Sequence, residues 1–421
     1  MRRLISPLAL MLCVAAPAQA FELAQAQPPQ RPQQAQPRQA QPAPPQRQAA
    51  PARPVNSDAM PEITARQAIV LDYQTGFVMF ERNADDRMPP SSMSKIMTAY
   101  MVFKAIKEGR MSLEDTLPVS ERAWRMQGSK MFVPLGGRVK VEDLIRGMIV
   151  QSGNDACIVL AEALAGTEEA FAEQMNVEAR RLGLTASNFR NATGWPDPDH
   201  YTTARDLATL ARRVIDDHPE FYRYYREVEF IYGRDERTGR EIRQGNRNPL
   251  LYRNIGADGI KTGHTEAAGY GLTASAQRDG RRVIAVFNGW PSMRTRAEES
   301  ERMIDWAFRE FQTYRLFSGG QEVERADVWL GQKPGVALLT ARDVAITMPR
   351  RLRPQLQARV IYDNPVAAPV REGQVLGRVV MSAPGIAPVE VPLLASESVD
   401  RLGFAGRMGA AVNYLVFGGK K

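Results

Sequence analysis

Residues 89–109 read PPSSMSKIMTAYMVFKAIKEG, and this stretch decides how the rest of the chain is understood. Pro89 and Pro90 cannot extend a helix backward, and Ser91 or Ser92 can cap a first turn. Ile96, Tyr100, Phe103 and Ile106 then recur at helical spacing until Gly109 stops the run. Ser92 therefore sits at a helix N-terminus, with Lys95 one turn on and on the same face, within hydrogen-bond reach. Serine attacks poorly until a base takes its proton, and lysine serves as that base only when its pKa falls toward neutrality. Burial and nearby positive charge lower it, and the positive end of the helix dipole steadies an oxyanion formed at Ser92. The tetrapeptide Ser92-Met93-Ser94-Lys95 is loose by itself. A surface lysine beside a capping serine satisfies it equally, so the decision rests on other parts of the chain.

The chain's 421 residues suggest two or three domains. Met1-Arg2-Arg3, an apolar run and Ala18-Gln19-Ala20 have the order of a secretory signal over residues 1–20, cleaved after Ala20. Cys13 lies in the discarded part. Cys157 is then the single mature cysteine, which excludes an internal disulfide, and it reads as a small buried apolar residue. The net charge of +8 is spread among mixed signs with no aromatic-interleaved basic stripe, so nucleic acid is not an expected partner. An anionic membrane or wall polymer fits export better.

Residues 21–57 are Gln, Pro, Ala and Arg with almost nothing to bury, a disordered linker. Residues 67–73 and 76–81 alternate about Thr75-Gly76 as a hairpin. Helices are predicted over 141–150, over 156–165 after the break Gln151-Ser152-Gly153-Asn154-Asp155, and from Thr203 to about residue 215. Strands begin at Gly259 and cover 271–276 and 282–287, and an amphipathic helix follows over 298–311. Strands at both ends with helices between them give one α+β domain over 58–315. Short alternating runs over 316–399 give a small all-β domain. Residues 400–421 place Phe404, Met408, Ala411, Val412 and Leu415 on one stripe, a C-terminal amphipathic helix lying in a membrane surface or, alternatively, docked on the β domain.

Three motifs fall in order: Ser92-Met93-Ser94-Lys95, Ser152-Gly153-Asn154 and Lys261-Thr262-Gly263, each the single match to its pattern. This trio, with Asp as the usual middle residue of the second, marks penicillin-binding proteins and class A β-lactamases. The chain resembles the penicillin-binding D-alanyl-D-alanine carboxypeptidases of low molecular mass. The likeness runs through Tyr201-Thr202-Thr203-Ala204-Arg205-Asp206, Arg247-Asn248, Asp258 to Thr265 and Ala268-Gly269-Tyr270. The resemblance implies a β-lactamase/transpeptidase-like domain with an antiparallel sheet flanked by helices. It also implies removal of the terminal D-alanine from peptidoglycan stem pentapeptides through a Ser92 acyl-enzyme, acylation by β-lactams, and a place on the periplasmic face of the inner membrane.

The resemblance also implies roles. Ser92 is the nucleophile, Lys95 its base, and Ser152 relays a proton to the leaving amine under the influence of Lys261. Asn154 holds the substrate amide. Backbone N–H groups of Ser92 and His264 form the oxyanion hole, and Lys261, Thr262, Gly263 and Arg296 surround the terminal carboxylate. Arg294 stands two residues from Arg296 as an alternative. No cofactor or metal is expected: His200 and His218 flank Asp residues in loops without ligand spacing and read as solvated. A DD-endopeptidase, a β-lactamase and an inactive wall-binding scaffold are the rivals. A β-lactamase needs a water-activating glutamate, and the loop 191–200 has Asp197 and Asp199 but no Glu; the scaffold has no use for the complete serine–lysine set.

Overall fold

The computed structural model describes residues 60–234 and 237–417, so the expectations for 1–20, for 21–57 and for Lys420 and Lys421 lie outside the described residues. In chain order the first part contains β1 Gln67–Asp72, β2 Val78–Arg82, α1 Lys95–Lys107, β3 Thr116–Pro118, α2 Glu121–Arg125, β4 Arg138–Lys140, α3 Val141–Val150 and α4 Asn154–Ala165. It continues with α5 Glu168–Leu182, α6 Ala204–Asp217, β5 Glu229–Arg234, β6 Glu241–Gly245, β7 Ala257–Thr265, β8 Gly269–Arg278, β9 Arg281–Trp290 and α7 Met293–Glu310.

Five of these strands form one antiparallel sheet in the order β2-β1-β9-β8-β7. Its central strands are apolar on both faces because successive side chains alternate between two cores. Ile69, Leu71, Ile284 and Val286 join the core built with α1, α3, α4 and α6. Ala68, Val70, Val283, Ala285 and Phe287 join Met303, Ile304 and Trp306 of α7 on the other side. This is the expected α+β domain, a sheet assembled from N- and C-terminal pieces and flanked by helices. Strand β7 lies at the sheet edge, against the turn that carries Ser92.

Several local expectations change. The first turn of the Ser92 segment is a 3-10 helix, Ser91–Ser94, and no serine side chain caps it. The hydroxyls are used elsewhere: Ser91 faces Thr265 at 3.3 Å and Ser92 faces Lys95. Helix α5 has no counterpart in the sequence reading, although Thr167 caps its start and Gly183, at φ 85°, ends it. Helix α7 starts at Met293 rather than 298, because Ser292 accepts from the N–H of Thr295, and this places Arg296 in the first turn.

The second part is all β: β10 Phe311–Phe317, β11 Glu322–Trp329, β12 Gly335–Thr340, β13 Val344–Pro349, β14 Gln357–Tyr362, β15 Val366–Ala367, β16 Val375–Ala383 and β17 Ile386–Ala395. Phe311 opens β10 instead of closing α7, and residue 316 falls inside that strand. Its own core gathers Val336, Leu338, Val379, Val391 and Leu393. A buried polar joint ties it to the sheet. Asp72 accepts from the backbone N–H of Thr75 at 2.9 Å, from Thr313 at 2.9 Å and from Arg281 at 3.1 Å. Thr347 lies 2.7 Å from the Thr75 hydroxyl and 2.8 Å from that of Thr313. The C-terminal helix α8 Phe404–Phe417 follows, with Phe404, Met408 and Val412 exposed. Among the described residues no helix is long and apolar enough to cross a membrane.

Candidate active site

Lys95 is the first residue of α1 and is 1 % exposed. Its Nζ lies 3.0 Å from Ser92 Oγ, 2.7 Å from Asn154 Oδ1 and 2.6 Å from the carbonyl oxygen of Thr193. Burial lowers its pKa to about 8, and the charge of Arg247 pushes the same way. A neutral amine has two N–H bonds and one lone pair. Asn154 and Thr193 are acceptors for the two donors, which leaves the lone pair for the Ser92 hydroxyl.

The turn between α3 and α4 holds Ser152 in the left-handed region at φ 63°. A non-glycine residue held there is strained, a feature that concentrates at functional sites. Lys261 of β7 donates to its hydroxyl at 3.0 Å and to the carbonyl of Thr262 at 3.3 Å. Burial drives the Lys261 ammonium well below its ordinary pKa, with the charges of Lys95 and Arg247 adding to the effect. Gly153 has no room for a side chain: a Cβ there meets Asp155 Oδ1 at 2.9 Å and the Met131 nitrogen at 3.1 Å.

Asp155 was missed in the sequence. Its fully buried carboxylate accepts from the N–H groups of Met131, Phe132 and Val133 at 2.9, 2.8 and 3.2 Å, fixing the loop along this rim. The same rim passes to Asn154, whose N–H donates to Ser129 O at 2.7 Å and whose side-chain amide donates to Gln127 O at 2.8 Å. Asn154 Oδ1 is thus turned to Lys95 and its amide nitrogen to Gln127 O.

Strand β7 brings Lys261, Thr262 and Gly263 against the Ser92 turn. Gly263 permits this approach, since a Cβ there comes within 3.0 Å of Pro90 O and 3.1 Å of Ser91 Cβ. The exposed His264 ring stacks on Tyr270 with centroids 4.0 Å apart. Arg296 is buried, its guanidinium 5.6 Å from the Tyr270 ring, and donates to Arg247 O at 3.2 Å. Its Nε has no partner among the described residues, and burial lowers its pKa to about 10. Arg294 points away and pairs with Glu298 at 2.7 Å on the surface. The missed Arg247, which donates to Ser129 Oγ at 2.6 Å, adds a second cation here. Its signal was present in the Arg247-Asn248 pair.

The loop 191–201 closes the other side. Asn191 Oδ1 accepts from the N–H groups of Thr193, Gly194 and Trp195 at 3.2, 2.8 and 3.0 Å, shaping the turn that delivers Thr193 O to Lys95. Gly194 has φ 79°, and a Cβ on it lies 1.7 Å from Ser91 O. His200 and His218 are not solvated as expected: each is 3 % exposed. His200 Nε2 lies 2.8 Å from Ser94 Oγ, and its ring packs on Phe189. The N–H of Arg190 donates to Nδ1 at 3.4 Å, so Nε2 carries the proton and donates to Ser94. His218 sits among Tyr100, Phe103 and Phe221. Cys157 is fully buried, with its thiol pushed up to about 12 by burial. Among the described residues no group of His, Cys, Asp and Glu side chains has the arrangement of a metal site.

Residues 54–291 match the family described as D-alanyl-D-alanine carboxypeptidase, and residues 311–401 match the one described as penicillin-binding protein 5, C-terminal domain. The chain is 39% identical to D-alanyl-D-alanine carboxypeptidase DacC of Escherichia coli (strain K12), over 83% of this chain and 87% of that one. The structure is similar to that of penicillin binding protein 5 from Haemophilus influenzae, with a TM-score of 0.75 and 37% identity over 81% of this chain and 99% of the other. It also resembles penicillin-binding protein D2 from Listeria monocytogenes in its ampicillin-bound form, with a TM-score of 0.52 and 28% identity over 58% of this chain and 98% of that one.

Proposed function

The chain belongs to the D-alanyl-D-alanine carboxypeptidase family, and on that premise we propose that Ser92 is its nucleophile and Lys95 the base that activates it. The activity is serine hydrolysis of the bond between two terminal D-alanines. Ser92 Oγ attacks the carbonyl of the penultimate D-alanine as Lys95 Nζ takes its proton. The N–H groups of Ser92 and His264 receive the oxyanion. The Ser152 hydroxyl, which Lys261 polarises, relays a proton to the leaving nitrogen and regains one from the Lys95 ammonium, so both return to their starting states as the C–N bond breaks; the terminal carboxylate is held by Thr262, Lys261 and Arg296. Water then releases the shortened peptide from Ser92. A β-lactam follows the same first step. Its acyl group stays on the serine because the loop 191–200 offers no glutamate to activate water.

The observation that carries this reading is the 3.0 Å approach of a fully buried lysine to Ser92 Oγ, with both amine hydrogens directed to other acceptors. The inward Arg296 supports a carboxypeptidase over an endopeptidase, since a free carboxylate answers a buried, incompletely paired guanidinium. The test is release of D-alanine from a peptide ending in D-Ala-D-Ala, with covalent penicillin labelling run in parallel. Ser92→Ala loses both while keeping its fold. Labelling that survives the substitution overturns the assignment.

The exposed Phe404, Met408 and Val412, with exposed Arg401 and Arg407 nearby, support a second part of the reading: α8 lies in the plane of an anionic membrane surface, peripheral to it. Deleting residues 400–421 abolishes sedimentation with anionic vesicles on this reading, and persistent sedimentation counts against it.

A further inference from the structure

Neutral Lys95 acts on Ser92 only while its two N–H bonds point elsewhere, and one of their acceptors is a main-chain carbonyl in a loop. The place of that carbonyl, Thr193 O, depends on what holds the residue before it. Ala192 is held through both of its main-chain groups. Its N–H donates to Glu168 Oε1 at 3.0 Å, and its carbonyl accepts from Thr98 Oγ1 at 2.7 Å. Thr98 lies one turn beyond Lys95 on α1, so the lysine and one clamp share a helix.

The other clamp comes from a different element. Glu168 opens α5 after the Thr167 cap, where the positive end of the helix dipole steadies a carboxylate. It is 6 % exposed. Its second oxygen accepts from Arg122 Nη2 of α2 at 2.7 Å, and the same nitrogen reaches the exposed Glu169 at 2.8 Å. Helix α2 leads directly to Gln127, whose carbonyl accepts from the Asn154 amide. The Glu168 carboxylate therefore ties together the two walls that supply acceptors to Lys95, Asn154 on one and Thr193 on the other.

Helix α5 is anchored without it, since Phe171, Met175 and Leu182 bury that helix in the core. Burial raises the Glu168 pKa above its ordinary value, while the Ala192 N–H and Arg122 favour the charged form. A carboxylate taken out of water at a cost, with one oxygen given to a loop amide, has a task in placing that loop.

We infer that Glu168 is a positioning residue for acylation: by holding Ala192 it aims the Thr193 carbonyl at Lys95 Nζ, which turns the amine lone pair to Ser92 Oγ. Thr98 holds the same residue from the other side. The inference rests on the reading of Lys95 as the base. Glu168 also acts on Lys95 through its charge. The titratable and charged groups around that amine are Asp155 and Cys157 of α4, Glu168 of α5, His200, Arg247, and Lys261 of β7. Of these, Glu168 favours the ammonium. Removing its charge while keeping its acceptor therefore lowers the pH at which Lys95 becomes neutral.

The test measures second-order acylation by a penicillin over pH 5 to 10, beside kcat and KM for D-alanine release, with unfolding midpoints to confirm the fold. Glu168→Ala frees Ala192 and lowers the acylation plateau by about 10- to 100-fold, with kcat falling and KM held, the size expected for a reacting group misplaced by about 1 Å. Glu168→Gln keeps an acceptor for Ala192, so its plateau returns to within about threefold of the wild type. The midpoint of its pH profile moves below 8. Thr98→Val loses the plateau as Glu168→Ala does and Thr98→Ser restores it, which tests the same carbonyl from α1 where Glu168→Ala folds poorly. Glu169→Ala removes only the outer partner of Arg122 and stays within about twofold. Plateaus within about twofold of the wild type in both Glu168→Ala and Thr98→Val, or a loss in Glu168→Gln as deep as in Glu168→Ala, overturn the inference. A wild-type rate with no break near pH 8 overturns the reading of Lys95 and the inference with it, so the two failures are distinct.

Discussion

Lys261 Nζ donates to Ser152 Oγ at 3.0 Å, joining the sheet edge to the turn between two helices across 109 positions of sequence. That contact has a local counterpart in Lys95 and Ser92, three residues apart. Each serine faces its own buried lysine, and the two pairs predict different responses to mutation and to pH.

The Lys95 amine acts only when neutral, and burial places its pKa at about 8. Acylation by a penicillin, measured as the second-order rate over pH 5 to 10, therefore rises tenfold per pH unit and levels near pH 8. Lys95→Arg, which keeps the charge and removes the base, lowers the plateau by about 10²- to 10⁴-fold. A rate independent of pH below 8 contradicts the role of Lys95.

Ser152→Gly separates stability from activity. The backbone at φ 63° suits glycine, so relief of left-handed strain raises unfolding stability by up to about 1 kcal/mol in a denaturant titration. The lost hydroxyl lowers kcat for D-alanine release by about 10²-fold or more. A variant both less stable and fully active refutes the assignment.

Arg296 and Arg294 are told apart by their surroundings, one buried at Tyr270 and one paired with Glu298 in solvent. On the proposed role, Arg296→Gln loses a charge-assisted contact to the substrate carboxylate and reduces kcat/KM by about 10- to 100-fold. Arg294→Gln stays within about twofold. Steady-state kinetics on the same peptide decides between them.

His200 gives the folded state an acid sensitivity. Burial lowers its pKa to about 4, below the ordinary value of 6.5, so the folded protein disfavours the charged ring. Its contribution is complete above pH 6.5 and is lost as pH falls toward 4, by a few kcal/mol at most. His200→Gln can still donate to Ser94 but does not titrate. Denaturant midpoints across pH 4 to 7 are flatter for this variant than for the wild type.

Much of the fold could be read because it is locally encoded. Residues 141–150 carry their helix in their own periodicity, and Thr203 announces the helix after it. The three motifs that meet in the cleft were legible for a different reason: the roles proposed for them each need a particular residue at a fixed offset. What escaped depends on contacts distant in sequence. The carboxylate of Asp155 is explained only by the loop of Met131, Phe132 and Val133 that it holds. The burial of His200 follows from Ser94 and Phe189, and that of His218 from Tyr100 and Phe103 of α1; all but Phe189 are distant in sequence from the histidine they cover. The 3-10 turn at Ser91 escaped because the hydroxyls of Ser91 and Ser94 have tertiary partners in Thr265 and His200.

The buried joint among Asp72, Thr75, Thr313 and Thr347 fastens the β domain directly to β1, a strand of the catalytic sheet. At its far end, Leu402 N–H donates to Leu330 O at 2.8 Å, and Arg401 bridges Gly331 just before α8 begins. Both ends of the β domain are thus clamped, one to the sheet and one to the foot of the helix. The body between them is a spacer of fixed length. On the proposed reading of α8, this clamped body stands between the surface that the helix meets and the sheet that carries the Ser92 turn.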